Sequence, residues 1–353
     1  MAWIFSDAVE TFRHHHRLWN ELNALSGAHI LLDAESVQIQ LDLLVDRPVL
    51  LARQTASSSA AMLLLVQTGL GRWTSFQPSQ QPIGHALFAS RNGIEDLLVS
   101  LVRGLPGCAL LLGITRQDPD ASLLPQGDGL ALLQCIRYDQ TGRVMLQPDF
   151  DAYWRQRPED LRSGIKRRQR RLQREGRDWH LVVLDQPDQV EAGIRGYGQL
   201  EGSGWKGRIG TSVDAAGRQG LYYTALLKAH CRRGEGSIYQ LMLDEQLVAS
   251  QICVGRGRMS VSLKMAYDEQ FRRDGPGYEL QARIIEHLHR RPGVEAIEFY
   301  GRATAGWTSK WTHDLRWMFH LNVYRHAVVR QGLDALRSIQ RQPAAAPAGL
   351  PAD

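Results

Sequence analysis

The chain has 353 residues, a net charge of +5 and 43% hydrophobic residues. These values are typical of a globular protein and exclude a disordered, collagen-like or fibrous chain, and the length favours two domains. No uncharged run is both long and apolar enough to span a bilayer, and the first residues lack the basic and apolar regions of a secretory signal. The four cysteines are widely spaced, which argues against a zinc knot and against a disulfide scaffold. We therefore expect a cytoplasmic protein with no metal site and no membrane span.

Residues 1–150 are predicted to form one mixed α/β domain. The spacing of apolar residues indicates a helix over the first 26 residues. Asp139–Gly142 has the composition of a tight turn, which predicts a β-hairpin whose strands cover 131–138 and 143–147. The other predicted elements of this half are strands at 30–44, 48–54, 62–69 and 108–114 and a helix at 92–103.

A strongly basic helix is predicted at 155–177, just after the boundary between the two halves. One interpretation is a helix that binds nucleic acid or another anionic surface. The other, which we favour, is a solvated helix that turns Leu161, Ile165 and Leu172 inward, since no aromatic residues alternate with the basic ones.

Residues 151–338 are predicted to form a second α/β domain, and residues 339–353 a disordered tail rich in Pro and Ala. The centre of this domain is a meander of three strands that ends in a loop rich in Arg and Gly. The predicted strands are 179–184, 237–243, 246–254, 258–267, 296–300 and 316–325, and the predicted helices are 187–201, 221–232 and one that begins near residue 278.

The loop from Arg272 to Gly277 has the composition of an anion site. Gly275 and Gly277 let a bound group approach the backbone, and the N–H groups at the start of the following helix attract negative charge. Arg272 and Arg273 add charge-assisted hydrogen bonds, which points to a phosphate or pyrophosphate. The alternative is a solvated turn that caps the helix.

An R-x-x-G-x-G loop between an antiparallel meander and an amphipathic helix resembles the acyl-CoA-binding core of the GNAT N-acyltransferases. With Gly204–Thr211 and Ser262–Glu269 added, the pattern resembles the CelD/BcsL-like group linked to cellulose biosynthesis. This group is related to the FemAB-type transferases, which carry two GNAT-like domains in tandem. The resemblance covers about 155–325, and it implies an α/β fold of tandem GNAT-like domains: a mixed, mostly antiparallel sheet flanked by helices. The N-terminal domain would then be a degenerate copy.

The resemblance implies an acyl-CoA donor, most simply acetyl-CoA, or an acyl group on a carrier protein. The phosphates of the donor would contact the loop, with Arg272, Arg273, Gly275, Gly277 and Tyr278 as binding residues. The strands on either side of the loop would splay apart to admit the pantetheine, and the thioester would lie near residues 264–266. No metal is implied.

The implied chemistry is direct attack of a neutral amine on the thioester. Asp268 and Glu298 are candidate bases, and the candidate acids are three tyrosines: Tyr267, Tyr278 and Tyr300. From this set we take Asp268 and Tyr300, together with Lys264, as candidate catalytic residues. Lys264 could instead form an ion pair with Asp268 or Glu269, and Asp268 could instead cap the loop before Phe271.

Trp205 and Lys206 in the glycine-rich stretch, and Lys310 and Trp311 after the last core strand, are candidate contacts for the acceptor. The alternative for these aromatic residues is packing in the core or at a domain seam.

The sequence therefore predicts an N-acyltransferase for an amine on a sugar, amino acid or peptide-like molecule, with a link to envelope or exopolysaccharide synthesis inherited from the family. One alternative is a FemAB-like transferase that uses aminoacyl-tRNA, with the basic helix on the RNA. Another is a GNAT-like accessory protein without catalysis. A plain nucleic-acid-binding protein ranks last, because charges outside 155–177 nearly balance.

Overall fold

The computed structural model describes residues 2–55, 60–125, 131–146, 149–203, 213–304 and 306–341. Its centre is one mixed sheet, in which twelve described strands follow the order β1-β2-β3-β4-β6-β13-β7-β12-β11-β10-β9-β8 and β5 pairs with β3. The strands are β1 (Ile4–Asp7), β2 (Leu50–Gln54), β3 (Ala61–Gly69), β4 (Arg72–Ser75), β5 (Ala86–Phe88), β6 (Leu111–Gln117), β7 (Leu133–Met145), β8 (Trp179–Leu184), β9 (Gly236–Leu243), β10 (Gln246–Arg256), β11 (Met259–Tyr267), β12 (Ala296–Glu298) and β13 (Leu315–Tyr324).

Helices flank this sheet, and short 3-10 turns at Phe12–His15, Ile30–Leu32 and Glu269–Phe271 lead into or out of them. No helix of the described ranges is long and apolar enough to cross a bilayer. The α-helices are α1 (Ala8–Thr11), α2 (His16–Leu25), α3 (Ala34–Leu44), α4 (Ile94–Gly104), α5 (Phe150–Arg155), α6 (Glu159–Arg174), α7 (Val190–Ser203), α8 (Arg218–Cys231), α9 (Pro276–His289), α10 (Thr308–Trp311) and α11 (Ala327–Arg341).

The two halves of the chain repeat one topology. In the first half, β1 and the helices α2 and α3 precede the antiparallel strands β2–β4, and α4 then crosses to β6, which runs parallel to β4. In the second half, β8, α7 and α8 precede the antiparallel strands β9–β11, and α9 crosses to β12, which runs parallel to β11. This repeat confirms the predicted fold class, a mixed and mostly antiparallel sheet flanked by helices and built from tandem GNAT-like units.

The last strand of each half lies in the sheet of the other half. β7, from the first half, pairs with β12, and β13, from the second half, pairs with β6. β7 and β13 also pair with each other, so the two half-sheets are continuous. The strand exchange ties the halves together through backbone hydrogen bonds.

The halves also share a hydrophobic core. One cluster of buried residues runs from Phe12 and Trp19 to Tyr222 and Ile252, and α3 packs on α8. Large apolar interfaces hold domains in one relative position, so a cleft between the halves has fixed walls.

Two predictions about the first half are wrong. Residues 30–44 form a 3-10 turn and helix α3 instead of a strand, because the Asp33 carboxylate caps the helix by accepting from the Glu35 N–H at 3.1 Å. Val37 and Leu41 are four residues apart and both buried, which is helical spacing that the strand interpretation overlooked.

The predicted hairpin at Asp139–Gly142 is likewise one uninterrupted strand, β7. Its residues pair with β13, and the Asp139 carboxylate forms ion pairs with Arg116 and Arg302 instead of closing a turn. The first helix is also preceded by strand β1. At the other end, residues 339–341 lie in α11, and the rest of the predicted tail lies outside the described residues.

Candidate active site

The predicted anion loop joins β11 to α9. Asp268 accepts a hydrogen bond from the Gln270 N–H at 2.9 Å and so caps the 3-10 turn that begins the loop. Gly275 has the left-handed conformation (φ 66°) that glycine adopts without strain, and Pro276 starts α9. Arg272 and Arg273 are exposed, and neither forms an ion pair with a described residue. The carboxylate of Asp268 thus has the capping role left open by the sequence.

Helix α6 packs directly over this loop, which the sequence did not predict. A side-chain carbon placed on Gly275 would lie 2.8 Å from Arg168 Nε, and the Arg168 guanidinium lies 5.9 Å from the centre of the Tyr278 ring. Arg171 forms an ion pair with Asp274, whereas Arg168 forms none with a described residue. Its partial burial lowers the pKa of the Arg168 guanidinium. The Glu279 carboxylate acts on Arg168 from beyond ion-pair distance and opposes this lowering. A partly buried cation with no direct ion pair beside a helix N-terminus is an arrangement that suits a phosphate.

The strands on either side of the loop splay apart. β11 and β12 pair only from Met259 to Val261, although β11 continues to Tyr267. On its other side β11 stays paired with β10, and the register shifts by one residue between Lys264 and Ser262. The second half of β11 therefore presents a strand edge to a cleft, as the resemblance implied.

A cavity of about 370 Å³ opens at this cleft, between the two halves of the chain. The second half contributes residues from the splayed edge of β11, from α8 and from the end of β12, and the first half contributes the loop 77–82 and Arg116. The lining residues are Gln77, Pro78, Ser79, Gln80, Gln81, Pro82, Arg116, Tyr223, Ser262, Leu263, Lys264, Phe299, Tyr300 and Gly301.

Lys264 lies in this cavity, and its partner is Glu201 instead of Asp268 or Glu269. The Lys264 ammonium is 3.4 Å from the Glu201 carboxylate and 5.8 Å from the centre of the Tyr223 ring. Glu201 is buried and also accepts hydrogen bonds from the Tyr197 hydroxyl at 3.1 Å and from the Val213 N–H at 2.7 Å. The sequence could not reveal this pair, because 63 positions separate its members.

Tyr300 is placed in a buried network between the halves. Its hydroxyl donates to the Asp118 carboxylate at 2.5 Å and lies 2.8 Å from His29 Nε2. Burial lowers the pKa of His29 to about 4 and raises that of Tyr300 well above its usual value. The hydroxyl of Tyr300 thus already has partners, although the residue lines the cavity.

Glu298, a candidate base, belongs to the same network. It is buried and forms ion pairs with Arg143 and Arg316. Burial raises the pKa of the Glu298 carboxyl, against the lowering effect of the two guanidiniums. This carboxylate holds strands together, since Arg316 is on β13 and Arg143 is on β7.

Of the four predicted acceptor contacts, the two that the structure describes, Lys310 and Trp311, do not line the cavity. Trp205 and Lys206 lie outside the described residues. Lys310 forms an ion pair with Asp160. Trp311 is fully buried in the core of the second half, and its ring lies 5.6 Å from that of Trp307 and 6.2 Å from that of Tyr278. Trp311 therefore packs in the core near Tyr278, at the start of α9, as the alternative interpretation of these aromatic residues held.

The first half has a helix in the position that corresponds to α9, but the charged residues at its start differ. α4 begins at Gly93, which has the same left-handed conformation as Gly275, but the first turn carries Glu95 and Asp96. Two carboxylates at a helix N-terminus repel a phosphate. The first turn of α4 is therefore more acidic than that of α9, which carries Glu279 alone.

Comparison with protein families identifies one domain. Residues 159–308 match the family model described as an acetyltransferase (GNAT) domain. The match contains α6, the loop from Arg272 to Gly277 and the splayed strands, so this part of the chain is similar to GNAT-type acetyltransferase domains. No curated protein matches the sequence. The narrower CelD/BcsL-like group stays a prediction.

Solved structures share the fold over both halves. FemX is 12% identical, with a TM-score of 0.58 over 90% of this chain and 97% of FemX. A C-terminal DUF2156 domain from Agrobacterium fabrum is 14% identical, with a TM-score of 0.53 over 94% of this chain and 96% of that domain. A protein of unknown function from Bacteroides thetaiotaomicron is 10% identical, with a TM-score of 0.54 over 92% of this chain and 100% of that protein. At these identities the likeness concerns the fold alone.

Proposed function

We propose that the protein is an N-acyltransferase that moves an acyl group, most simply acetyl, from acyl-CoA to an amine. The observation that carries the proposal is the convergence of three features on one cleft: the loop from Arg272 to Gly277, the edge of β11 that β12 leaves unpaired beyond Val261, and the cavity between the halves. The family match over 159–308 supports the same reaction class.

The donor is assigned to the second half. Its phosphates would contact the first turn of α9 and the guanidiniums of Arg168, Arg272 and Arg273. Its pantetheine would follow the edge of β11 beyond Val261, which offers backbone groups that β12 does not pair. The acyl group then reaches the cavity beside Lys264.

The acceptor is assigned to the cavity, whose polar lining suits a small amine on a sugar, amino acid or peptide-like molecule. The amine nitrogen attacks the thioester carbon, the carbonyl electrons move to oxygen, and the C–S bond then breaks. The nitrogen loses one proton to water in the cavity and the departing thiolate gains one, so the products are an amide and free CoA. An acyl-carrier protein as donor and a role in exopolysaccharide synthesis belong to this proposal as extensions.

The first test is a thermal-shift titration with CoA and acetyl-CoA. A ligand at 100 times its Kd stabilises the folded state by about 2.7 kcal/mol. We expect a shift in the wild type and a smaller one in Arg272→Ala. No shift with either compound would contradict the proposal and would direct attention to salt-sensitive tRNA binding or to an accessory role.

The assignment of Arg168 makes a separate prediction. Arg168→Gln removes the charge but keeps the helix, and hydrogen bonds to charged groups contribute about 1.5–3 kcal/mol. We therefore expect CoA to bind about 10–100-fold more weakly, measured by calorimetry, with no change for phosphate-free pantetheine. Arg167→Gln is the matched control, because Arg167 is the exposed neighbour on α6. Equal losses in both variants would mean that only the overall charge of α6 matters.

A further inference from the structure

The cavity contains a polar group that the proposed reaction has not used. Tyr223 on α8 is 1% exposed and lines the cavity beside Ser262 and Lys264. Its hydroxyl makes no hydrogen bond with a described residue. Polar groups of buried residues usually have a hydrogen-bond partner in the protein or in a bound molecule. A tyrosine that lines a cavity and lacks such a partner among the described residues suits a ligand that accepts a hydrogen bond.

The hydroxyls of the other tyrosines near the cleft already form hydrogen bonds, or their residues do not line the cavity. Tyr300 donates to Asp118 and Tyr197 to Glu201. Tyr278 is beside the donor loop, where its hydroxyl is 3.5 Å from the Gly306 carbonyl. Tyr222 is as buried as Tyr223, and their rings are 5.0 Å apart, but Tyr222 does not line the cavity. Tyr223 is therefore the described tyrosine whose hydroxyl is placed to meet a reacting group there.

We infer that the Tyr223 hydroxyl donates a hydrogen bond to the thioester carbonyl oxygen of the donor as that oxygen becomes negatively charged. The inference rests on the proposed function, because it needs the acyl group in the cavity.

The chemistry of the phenol fits this role. When the amine nitrogen bonds to the carbonyl carbon, the carbonyl π electrons move to oxygen, and a fixed donor stabilises that oxyanion until the C–S bond breaks. Burial, with Glu201 nearby, raises the pKa of Tyr223 well above its usual value, so the hydroxyl keeps its proton throughout. No proton is transferred from Tyr223 and the step stays balanced. The Lys264 ammonium lies 5.8 Å from the centre of the Tyr223 ring and 3.4 Å from the Glu201 carboxylate.

The test compares CoA with trifluoroacetonyl-CoA, a thioether whose hydrated ketone mimics the tetrahedral intermediate and which needs no acceptor. We expect the wild type to bind the ketone more tightly than CoA, and Tyr223→Phe to lose that preference at least tenfold with unchanged CoA affinity. Tyr222→Phe is the matched control and should behave as the wild type. With hydroxylamine as the acceptor probe, removal of one oxyanion donor should lower kcat about 10²–10³-fold with little change in KM for acetyl-CoA.

The outcomes separate the two proposals. If Tyr223→Phe keeps the wild-type preference for the ketone, the role of Tyr223 is wrong while the donor site stands. If Tyr222→Phe loses the preference equally, the effect is packing and the inference also fails. If the wild type binds neither compound, both the proposed function and this inference are wrong.

Discussion

Valine at position 277 should strongly weaken acyl-CoA binding. A Cβ on Gly277 would lie 3.5 Å from the Tyr267 ring, 3.7 Å from Met265 Sδ and 3.9 Å from the Trp307 ring, which are ordinary contacts. The two methyl groups of valine extend beyond that Cβ, so they would press on these side chains and fill the space between the first turn of α9 and the end of β11. That space is the proposed entry of the donor, and a glycine there lets the ligand approach the backbone.

The expected loss is at least 100-fold in affinity. A ligand present at 100 times its original Kd would then stabilise the variant by about 0.4 kcal/mol instead of about 2.7 kcal/mol. Gly277→Ala should give an intermediate loss. Gly69→Val is the matched control, because a side chain there meets open space at the end of β3. Full binding by Gly277→Val would contradict the placement of the donor on this turn.

The sequence was sufficient to predict the glycine turn from Gly275 to Gly277 and the helix after it because this turn is local. Gly275, Pro276 and Gly277 are adjacent, and their conformational preferences determine the turn and the start of α9 regardless of what packs against them. The meander β9–β11 was predicted for the same reason. The anion-binding character and the order of elements around it then identified the class of domain.

The acceptor side could not be predicted because it is assembled from distant segments. The cavity lies between the loop 77–82 of one half and Tyr223 and Lys264 of the other. The spacing of apolar residues within one segment does not indicate which distant segments will be in contact. Arg168 was visible only as one of many arginines in a basic helix. Trp311 was misleading, since a tryptophan near a site and one in the core beneath it have the same sequence signal.

Loss of Arg316 should be the most destabilising single change in the buried network between the halves. This guanidinium donates to the two Asp118 oxygens at 2.7 and 3.0 Å and pairs with Glu298 at 2.8 Å. Removing one partner of a buried ion pair leaves an uncompensated charge, which costs about 3–5 kcal/mol. We expect Arg316→Met to lower the free energy of unfolding by that amount in denaturant titrations.

Arg258→Met is the control, because Arg258 is 79% exposed and its pair with Glu295 contributes about 1 kcal/mol or less. Addition of Asp118→Asn to Arg316→Met should recover part of the loss, since the carboxylate left without its guanidinium is then neutral, while Glu298 keeps its pair with Arg143. Equal effects of the Arg316 and Arg258 substitutions would mean that the network is hydrated and weak.

The same network predicts how stability depends on pH. Arg316 and the Tyr300 hydroxyl overcome the effect of burial and lower the pKa of Asp118 to about 2. A carboxylate with a depressed pKa stabilises the folded state above its unfolded pKa, near 4, and loses that contribution as the pH falls toward 2. We expect on the order of 2 kcal/mol to be lost over this window in the wild type and less in Asp118→Asn. Glu298 acts in the opposite direction, because its raised pKa favours the folded state at low pH. If the free energy of unfolding falls by the same amount at low pH in Asp118→Asn as in the wild type, Asp118 is not the titrating group. Protonation of other carboxylates would then cause the loss of stability.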